Sequence, residues 1–229
     1  MEINAPVKIN VLKLALTKVI PGLVFLGAVI FLPAWTLNYW QGWVYLVVLL
    51  LPMAAVFLYM AKTDPELVER RLRMKEENTN QKRLLRLMSP LFLLAYILPG
   101  FDVRLGWSKV PAVVSIIAAG MVLVGYYIFF RVIRENRFAS RVIEVAQGQK
   151  VIDTGPYALV RHPMYSGMIL LYVMSPLALG SFWAMIPAVA IIPLIAARST
   201  KEEELLAKDL PGYADYLKKV KYRLLPGVW

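Results

Sequence analysis

The only histidine of the chain lies in a segment that could bind an anion. Residues 154–167 read TGPYALVRHPMYSG, so His162 stands between Arg161 and Pro163. Proline is favoured at the first position of a helix, and its ring pushes the preceding residue towards an extended conformation. We therefore predict that His162 lies at the N-terminal end of a helix. The free N–H groups and dipole of such an end attract anions, and the Arg161 guanidinium would add to that attraction.

A second polar segment follows about forty residues later and could bind a cation. Three adjacent glutamates, residues 202–204, interrupt an otherwise basic tail and could accept an ammonium group. Arg198 and Glu202 are four residues apart on one helical face, where they could also form an ordinary surface ion pair. A lone histidine beside an arginine likewise fits a plain capping residue, so neither segment decides the chemistry alone.

The residue types exclude several kinds of site. The chain has no cysteine, which excludes disulfides, thiolate catalysis and Cys-ligated metals. One histidine is too few for a His-rich zinc or iron site, so no metal is predicted. No G-x-G-x-x-G motif follows a predicted strand, which argues against a dinucleotide-binding domain of the Rossmann type.

The elements that position these segments are predicted to be membrane helices. The chain is 59% hydrophobic and only 18% charged, and its mean hydropathy is positive. Six runs lack any ionisable side chain: 19–37, 43–61, 87–100, 110–130, 163–180 and 182–197. The fold class is therefore an all-α, polytopic membrane bundle of five or six transmembrane helices with a polar C-terminal cytoplasmic region, to which the resemblance given below assigns cofactor binding.

The six runs differ in length. A membrane span needs about 20 apolar residues, so the first, second and fourth runs qualify easily. The third is short and can extend only towards residues 101–107. The last two are separated by Gly180 and Ser181 and predict a helical hairpin, either as two full spans or as a shallow hairpin.

The basic residues predict the orientation of the bundle. If all six runs span, 24 of the 26 Lys and Arg residues lie on one face, and only Arg104 and Lys109 lie on the other. The positive-inside rule makes the basic face cytoplasmic, with both termini and the active site there. The net charge of +11 then reflects anionic lipid headgroups, and no nucleic-acid motif competes with this interpretation.

Local patterns predict the connecting elements. Residues 7–18 could form a short amphipathic helix, residues 131–142 continue the fourth run as a helix, and Gly148 and Gly155-Pro156 mark turns. The tail predicts two short amphipathic helices interrupted at Pro211-Gly212. Because none of the six runs contains an ionisable residue, an ion-coupled carrier is disfavoured. We divide the chain into an N-terminal membrane region, residues 1–110, and a catalytic region, residues 111–229.

The two polar segments together resemble the isoprenylcysteine carboxyl methyltransferase family, within a wider group that includes phospholipid N-methyltransferases. The resemblance covers roughly residues 120–229 and lies in GPYALVRHPMYSG, in the glutamates after Arg198, and in LPGYADYLKKVKYRLLP. Asn136 and Phe138 are a weaker match, and Arg223 and Leu225-Pro226 fit the usual ending. The resemblance implies a C-terminal pocket for S-adenosylmethionine.

The resemblance also implies roles for individual residues. His162, Arg161 and the helix end would bind the cofactor carboxylate, and Glu202 or Glu203 its ammonium. The predicted cofactor-binding residues are Tyr157, Arg161, His162, Pro163, Tyr165, Gly167, Glu202 and Glu203, and the predicted catalytic residues are His162, Glu203 and Arg198.

Methyl transfer requires mainly that donor and acceptor be held in line, which can supply about 7 to 11 kcal/mol. The predicted partners are the lipid bilayer and a lipophilic methyl acceptor, either a prenylcysteine-like carboxylate or a phospholipid amine. An amine would need a base to remove its proton, whereas a carboxylate would not. The alternatives are an NADPH-dependent membrane reductase similar to the sterol reductases and a non-enzymatic membrane protein.

Overall fold

The protein is a bundle of helices, as predicted. The computed structural model describes residues 20–65, 67–68, 71, 79–139 and 145–229, and no β-strand occurs in these ranges. The helices are α1 (Ile20–Ala34), α2 (Trp40–Thr63), α3 (Thr79–Leu105), α4 (Ala112–Glu135), a 3-10 helix (Gly155–Ala158), α5 (Pro163–Ala178), α6 (Met185–Ala190), α7 (Ile192–Asp209) and α8 (Tyr213–Lys219).

Three of the described helices are long and apolar enough to cross a membrane: α2, α4 and the segment Gln81–Leu105 of α3. At 1.5 Å per residue, the 24 residues of α2 or α4 extend over about 36 Å, more than a hydrocarbon core of about 30 Å. Helices α1 and α5 are apolar but shorter. Helices α1 to α4 carry many exposed large hydrophobic residues, as expected where the surroundings of a protein are lipid.

The third run forms a longer helix than the sequence predicted. Helix α3 has 27 residues because it also extends towards its N-terminus, through Lys82, Arg83 and Arg86. Lysine and arginine are good helix formers, so a charged sequence that reads as a loop can continue an apolar helix into water. The basic segment before residue 87 is therefore partly helix.

Two other predicted extents were too long. The first run was expected to extend to residue 37, but α1 ends at Ala34, because Trp35 adopts a positive φ of 55°. Helix α4 was expected to continue to residue 142, but it ends at Glu135, and Asn136 is extended. The side-chain oxygen of Asn136 accepts a hydrogen bond from the N–H of Phe138, which stabilises the turn.

The predicted hairpin is present, with a bent second arm. Helix α5 ends before Gly180, which has a φ of 80°, and Ser181 donates a hydrogen bond of 2.5 Å to buried Asp102 of α3. This contact fixes the hairpin turn to the end of α3. The run 182–197 is divided between α6 and the first part of α7.

The tail was predicted to contain two separate amphipathic helices, and the first of these is instead a continuation of the last apolar run. Helix α7 runs without a break from Ile192 to Asp209, past the glutamates. Pro211-Gly212 does interrupt the tail, as predicted, and α8 follows. The glutamates are therefore held on a helix that is anchored in the bundle.

Helices α4 and α5 form the most extensive helix pair of the described chain. They cross at Gly125 and Gly167, where a Cβ on Gly125 would lie 2.9 Å from the carbonyl oxygen of Gly167. Two glycines thus allow the backbones to touch, as small residues do between membrane helices. The predicted amphipathic helix 7–18 and the lysines of the N-terminal arm lie outside the described residues.

Candidate functional site

The site is a cavity of about 960 Å³ with a polar end and an apolar end. The polar end is lined by Tyr157, Arg161, His162, Tyr165, Arg198 and Glu202. The apolar end, between the membrane helices, includes Leu26, Leu49, Met53, Met88, Phe92 and Leu171. One continuous space therefore joins charged groups near the RHP loop to the interior of the bundle.

Glu203 connects the RHP loop to the tail. Its carboxylate accepts hydrogen bonds from Arg161 Nε at 2.6 Å, His162 Nε2 at 3.1 Å and Arg223 Nε at 2.8 Å. The Glu203 side chain is only 7% exposed. A buried carboxylate is tolerated when it is paired and hydrogen-bonded in this way.

These contacts keep Glu203 ionised. Burial by itself raises the pKa of Glu203, but the hydrogen bonds from His162, Arg161 and Arg223 outweigh burial and lower the pKa to about 2. An ionised carboxylate can only accept hydrogen bonds, so Nε2 of His162 carries the hydrogen that it shares with Glu203. The other ring nitrogen, Nδ1, is then the one that can exchange a proton.

His162 lies at the N-terminal end of α5, as its position before Pro163 predicted. It is the N-cap residue, and its own side chain makes no capping hydrogen bond to this end of the helix. The imidazole is buried and stacks on the ring of Tyr165 with centroids 5.6 Å apart. Nδ1 lies 3.8 Å from Oε2 of Glu202. Both glutamates of the predicted pair therefore approach the same ring, one at each nitrogen.

The two glutamates differ in what they face. Glu202 borders the cavity, its side chain is 27% exposed, and it interacts with the Tyr165 hydroxyl. Glu203 is not part of the described cavity wall and is surrounded by its three donors. The carboxylate that can meet a ligand is that of Glu202.

Arg161 is mostly engaged by the protein itself. Nη1 donates to the carbonyl oxygens of Val220 and Lys221, both at 2.8 Å, while Nε and Nη2 point to Glu203. A guanidinium has five N–H groups, so at most one remains for a ligand. The backbone N–H of Arg161 also donates to Tyr222, which holds the loop against the tail.

Arg198 joins two helices at the edge of the cavity. It is buried, and it donates from Nε to the Tyr165 hydroxyl at 3.1 Å and from Nη1 to Gln81 at 3.0 Å. Gln81 belongs to α3, so Arg198 of α7 connects α3 to α5. The arginine thereby fixes the Tyr165 side chain beside His162.

The remaining predicted residues have structural surroundings. Pro163 is the buried first residue of α5. Gly167 contacts α4 at Gly125, and the described cavity wall includes neither Pro163 nor Gly167. Tyr157 lines the cavity and accepts a hydrogen bond from Asn136 at 2.9 Å.

A model of the phospholipid methyltransferase family matches residues 113–211. That family is part of the wider membrane methyltransferase group. The match confirms the resemblance that the two polar segments predicted, and the family implies a methyltransferase that acts on lipid. A search of curated proteins found no match to the chain.

The region that matches the family model contains most of the site, but some residues that support the site lie outside it. It begins in α4 and ends before Gly212, so it includes the RHP loop and both glutamates. Arg223, which donates to Glu203, lies beyond it. Tyr213 and Tyr216 also lie beyond it and line the cavity, and Tyr216 donates to the carbonyl oxygen of Tyr157 at 2.8 Å.

Sequence reasoning missed several residues that border the polar end of the cavity. The cavity wall also includes Arg71, Gln149, Lys150, Tyr213 and Tyr216. Tyr213 and Tyr216 lie in the second amphipathic helix predicted for the tail, and that prediction gave no indication of a ligand. Arg71 gave no signal in the sequence, because its proximity follows only from how the helices pack. Among the described residues, no group of three His, Asp or Glu side chains could hold a metal ion.

Proposed function

We propose that the protein is an integral membrane, S-adenosylmethionine-dependent methyltransferase that acts on a lipophilic acceptor. The observation that carries this proposal is the continuous cavity, which has the chemistry for a charged cofactor at one end and for a lipid at the other. The family match supplies the reaction class. The boundary between the N-terminal and catalytic regions near residue 110 is part of the proposal.

The polar end suits a zwitterionic amino acid moiety. In our proposal Glu202 accepts the cofactor ammonium, and the N-terminus of α5 with the remaining Arg161 N–H attracts its carboxylate. Tyr157 and Tyr165 enclose the apolar parts. Pro163 and Gly167 contribute by placing the helix, and Glu203 by holding Arg161 and His162 in position.

When bound, S-adenosylmethionine supplies an electrophilic methyl group on a sulfonium. The protein then needs to align the acceptor with the methyl-sulfur bond, so that a bond to the acceptor forms as the bond to sulfur breaks. If the acceptor is an amine, Nδ1 of His162 is the base that takes its proton, because Nε2 is bonded to Glu203. Arg198 keeps Tyr165 against the imidazole during this step.

The proposed sidedness follows from charge. If all six runs span, 24 of the 26 basic residues lie on one face, and the positive-inside rule then puts both termini and the polar end of the cavity in the cytoplasm, where the soluble cofactor is available. The acceptor enters from the bilayer into the apolar end. Exposed cavity residues such as Met53 and Phe92 support a sideways opening between helices.

The test is cofactor binding to detergent-purified full-length protein, measured by calorimetry for S-adenosylmethionine and for NADPH. We expect the protein to bind S-adenosylmethionine and not NADPH. Mass spectrometry of a lipid extract incubated with the protein and S-adenosylmethionine should then reveal a product in which a methyl group has replaced a hydrogen, which adds the mass of one CH2 group. Replacing His162 by alanine should abolish that product, whereas Glu204→Gln, on the exposed side of α7, should retain it. Affinity for NADPH without affinity for S-adenosylmethionine would refute the proposal in favour of a reductase.

A further inference from the structure

Three tyrosines lie at the membrane part of the cavity. Tyr96 of α3, Tyr126 of α4 and Tyr172 of α5 all border it. The hydroxyls of Tyr126 and Tyr172 lie close enough to that of Tyr96 to interact with it electrostatically. Otherwise this end of the cavity is lined mainly by aliphatic, methionine and phenylalanine side chains.

Two of these three tyrosines, Tyr126 and Tyr172, have hydroxyls that are available as donors. Within the described residues, neither Tyr126 nor Tyr172 forms a hydrogen bond through its hydroxyl, although Tyr172 packs against the Phe92 ring. Tyr96 accepts a hydrogen bond of 2.9 Å from Tyr45 and also interacts with the Ser175 hydroxyl, so its own hydroxyl is engaged by the protein. Tyr45 also contacts Ser175 at 2.6 Å, so Tyr96 is held by the bundle.

Unpaired hydroxyls in an apolar membrane cavity are costly unless a ligand satisfies them. We propose that the tyrosine cluster, Tyr96 with Tyr126 and Tyr172, is a binding subsite for a carbonyl oxygen of an ester-linked lipid. This inference rests on the proposed function, because it concerns the acceptor of that same cavity. It assigns to the acceptor a hydrogen-bonding group well away from the methylated atom.

The distance from Tyr172 to the polar end of the cavity matches the distance between the amine and the acyl carbonyl of a diacyl phospholipid. Tyr165 and Tyr172 are seven residues apart in α5, which corresponds to about 10 Å along the helix axis. In a diacyl phospholipid the acyl carbonyl carbon is separated from the headgroup amine by roughly nine bonds. At about 3.8 Å for every three bonds, as in a polypeptide, this is about 11 Å when extended. An isoprenoid chain has no oxygen atom at this distance from the group that would be methylated.

Lipid binding can test the subsite without any methyl transfer. Native mass spectrometry of the full-length protein in detergent would measure the affinity for dioleoyl phosphatidylethanolamine and for its ether-linked analogue. The two probes share the headgroup and chain length, and differ in whether a carbonyl oxygen is present. We expect the ester probe to bind at least about five-fold more tightly, as one neutral hydrogen bond provides.

Phenylalanine substitutions test whether the tyrosine cluster causes the preference for the ester probe over the ether probe. In Tyr126→Phe/Tyr172→Phe the affinity for the ester probe should fall to that for the ether probe. The matched control is Tyr127→Phe, since Tyr127 neighbours Tyr126 but is 58% exposed outside the cavity. The control should retain the preference. Thermal unfolding should change little in the double variant, because neither hydroxyl is bonded within the described protein.

The outcomes separate this inference from the proposed function. Equal affinity for the two probes in the wild type, an unmeasurable affinity for the ester probe, or an unchanged preference in the double variant would each overturn the subsite. Binding of S-adenosylmethionine, measured on the same samples, reports on the proposed function alone. A protein that prefers the ester probe but does not bind the cofactor keeps the subsite and loses the methyltransferase proposal.

Discussion

His162 and Glu203 are joined by a hydrogen bond of 3.1 Å between Nε2 and Oε1, and both side chains are buried. The bond connects the loop before α5 to the middle of α7. Since Glu203 also binds Arg161 and Arg223, one carboxylate fixes two arginines and the histidine. Its first role is therefore to hold the site together.

Replacing Glu203 by alanine should destabilise the protein strongly. The change leaves the buried donors of Arg161 and His162 without their carboxylate, and removal of one partner from a buried ion pair typically costs about 3 to 5 kcal/mol. The melting temperature in detergent would measure the effect. Glu204→Ala provides the control, since the Glu204 side chain is 57% exposed and, among the described residues, forms an ion pair only with Lys201. Equal melting temperatures for the two variants would contradict this role of Glu203.

Replacing Glu202 by glutamine should weaken cofactor binding and leave the fold intact. Glu202 faces the cavity, and a hydrogen bond to a charged group contributes about 1.5 to 3 kcal/mol, which corresponds to a roughly 10- to 100-fold change in affinity. Calorimetry with S-adenosylmethionine measures the loss, and the melting temperature should stay near that of the wild type. If Glu202→Gln binds as tightly as Glu204→Gln, another group accepts the ammonium.

Stability should fall in acid because of Glu203. Its folded pKa of about 2 lies below its ordinary value of 4.5, so the ionised form stabilises the fold fully above pH 4.5. As the pH falls from about 4.5 towards 2, this contribution of about 3 kcal/mol is progressively lost. Melting temperatures recorded between pH 2 and 7 should show the decline in the wild type. The decline should be shallower in Glu203→Gln, and identical pH profiles would show that other carboxyls cause it.

The crossing of α4 and α5 should not tolerate a side chain at its glycines. A Cβ on Gly125 would lie 2.9 Å from the Gly167 carbonyl oxygen, and one on Gly167 would lie 3.0 Å from that of Gly125. Gly125→Ala or Gly167→Ala should force the helices apart, at a cost of about 1 to 3 kcal/mol. Gly120→Ala in α4 is the matched control, because no described atom outside the backbone of its own helix lies within 4 Å of a Cβ added at Gly120. Comparable melting temperatures for the three variants would argue against a close crossing.

The sequence by itself determined the local features of the site. Pro163 placed His162 at the start of a helix, because a proline ring excludes the helical conformation behind it and favours the first position ahead. The absence of charge over long runs determined that the elements are membrane helices. The order of the two polar segments was sufficient to indicate the methyltransferase group, which the family match over residues 113–211 confirms.

Only the tertiary structure decided which glutamate faces the cavity. Adjacent residues of a helix point about 100° apart, so the rotation of α7 against the loop separates Glu202 from Glu203, and that rotation is set by packing across the bundle. The same is true of Arg223, which reaches Glu203 from twenty residues away. The tyrosine cluster depends on three helices meeting at one depth. Such contacts join residues distant in the chain, and local patterns in the sequence do not encode them.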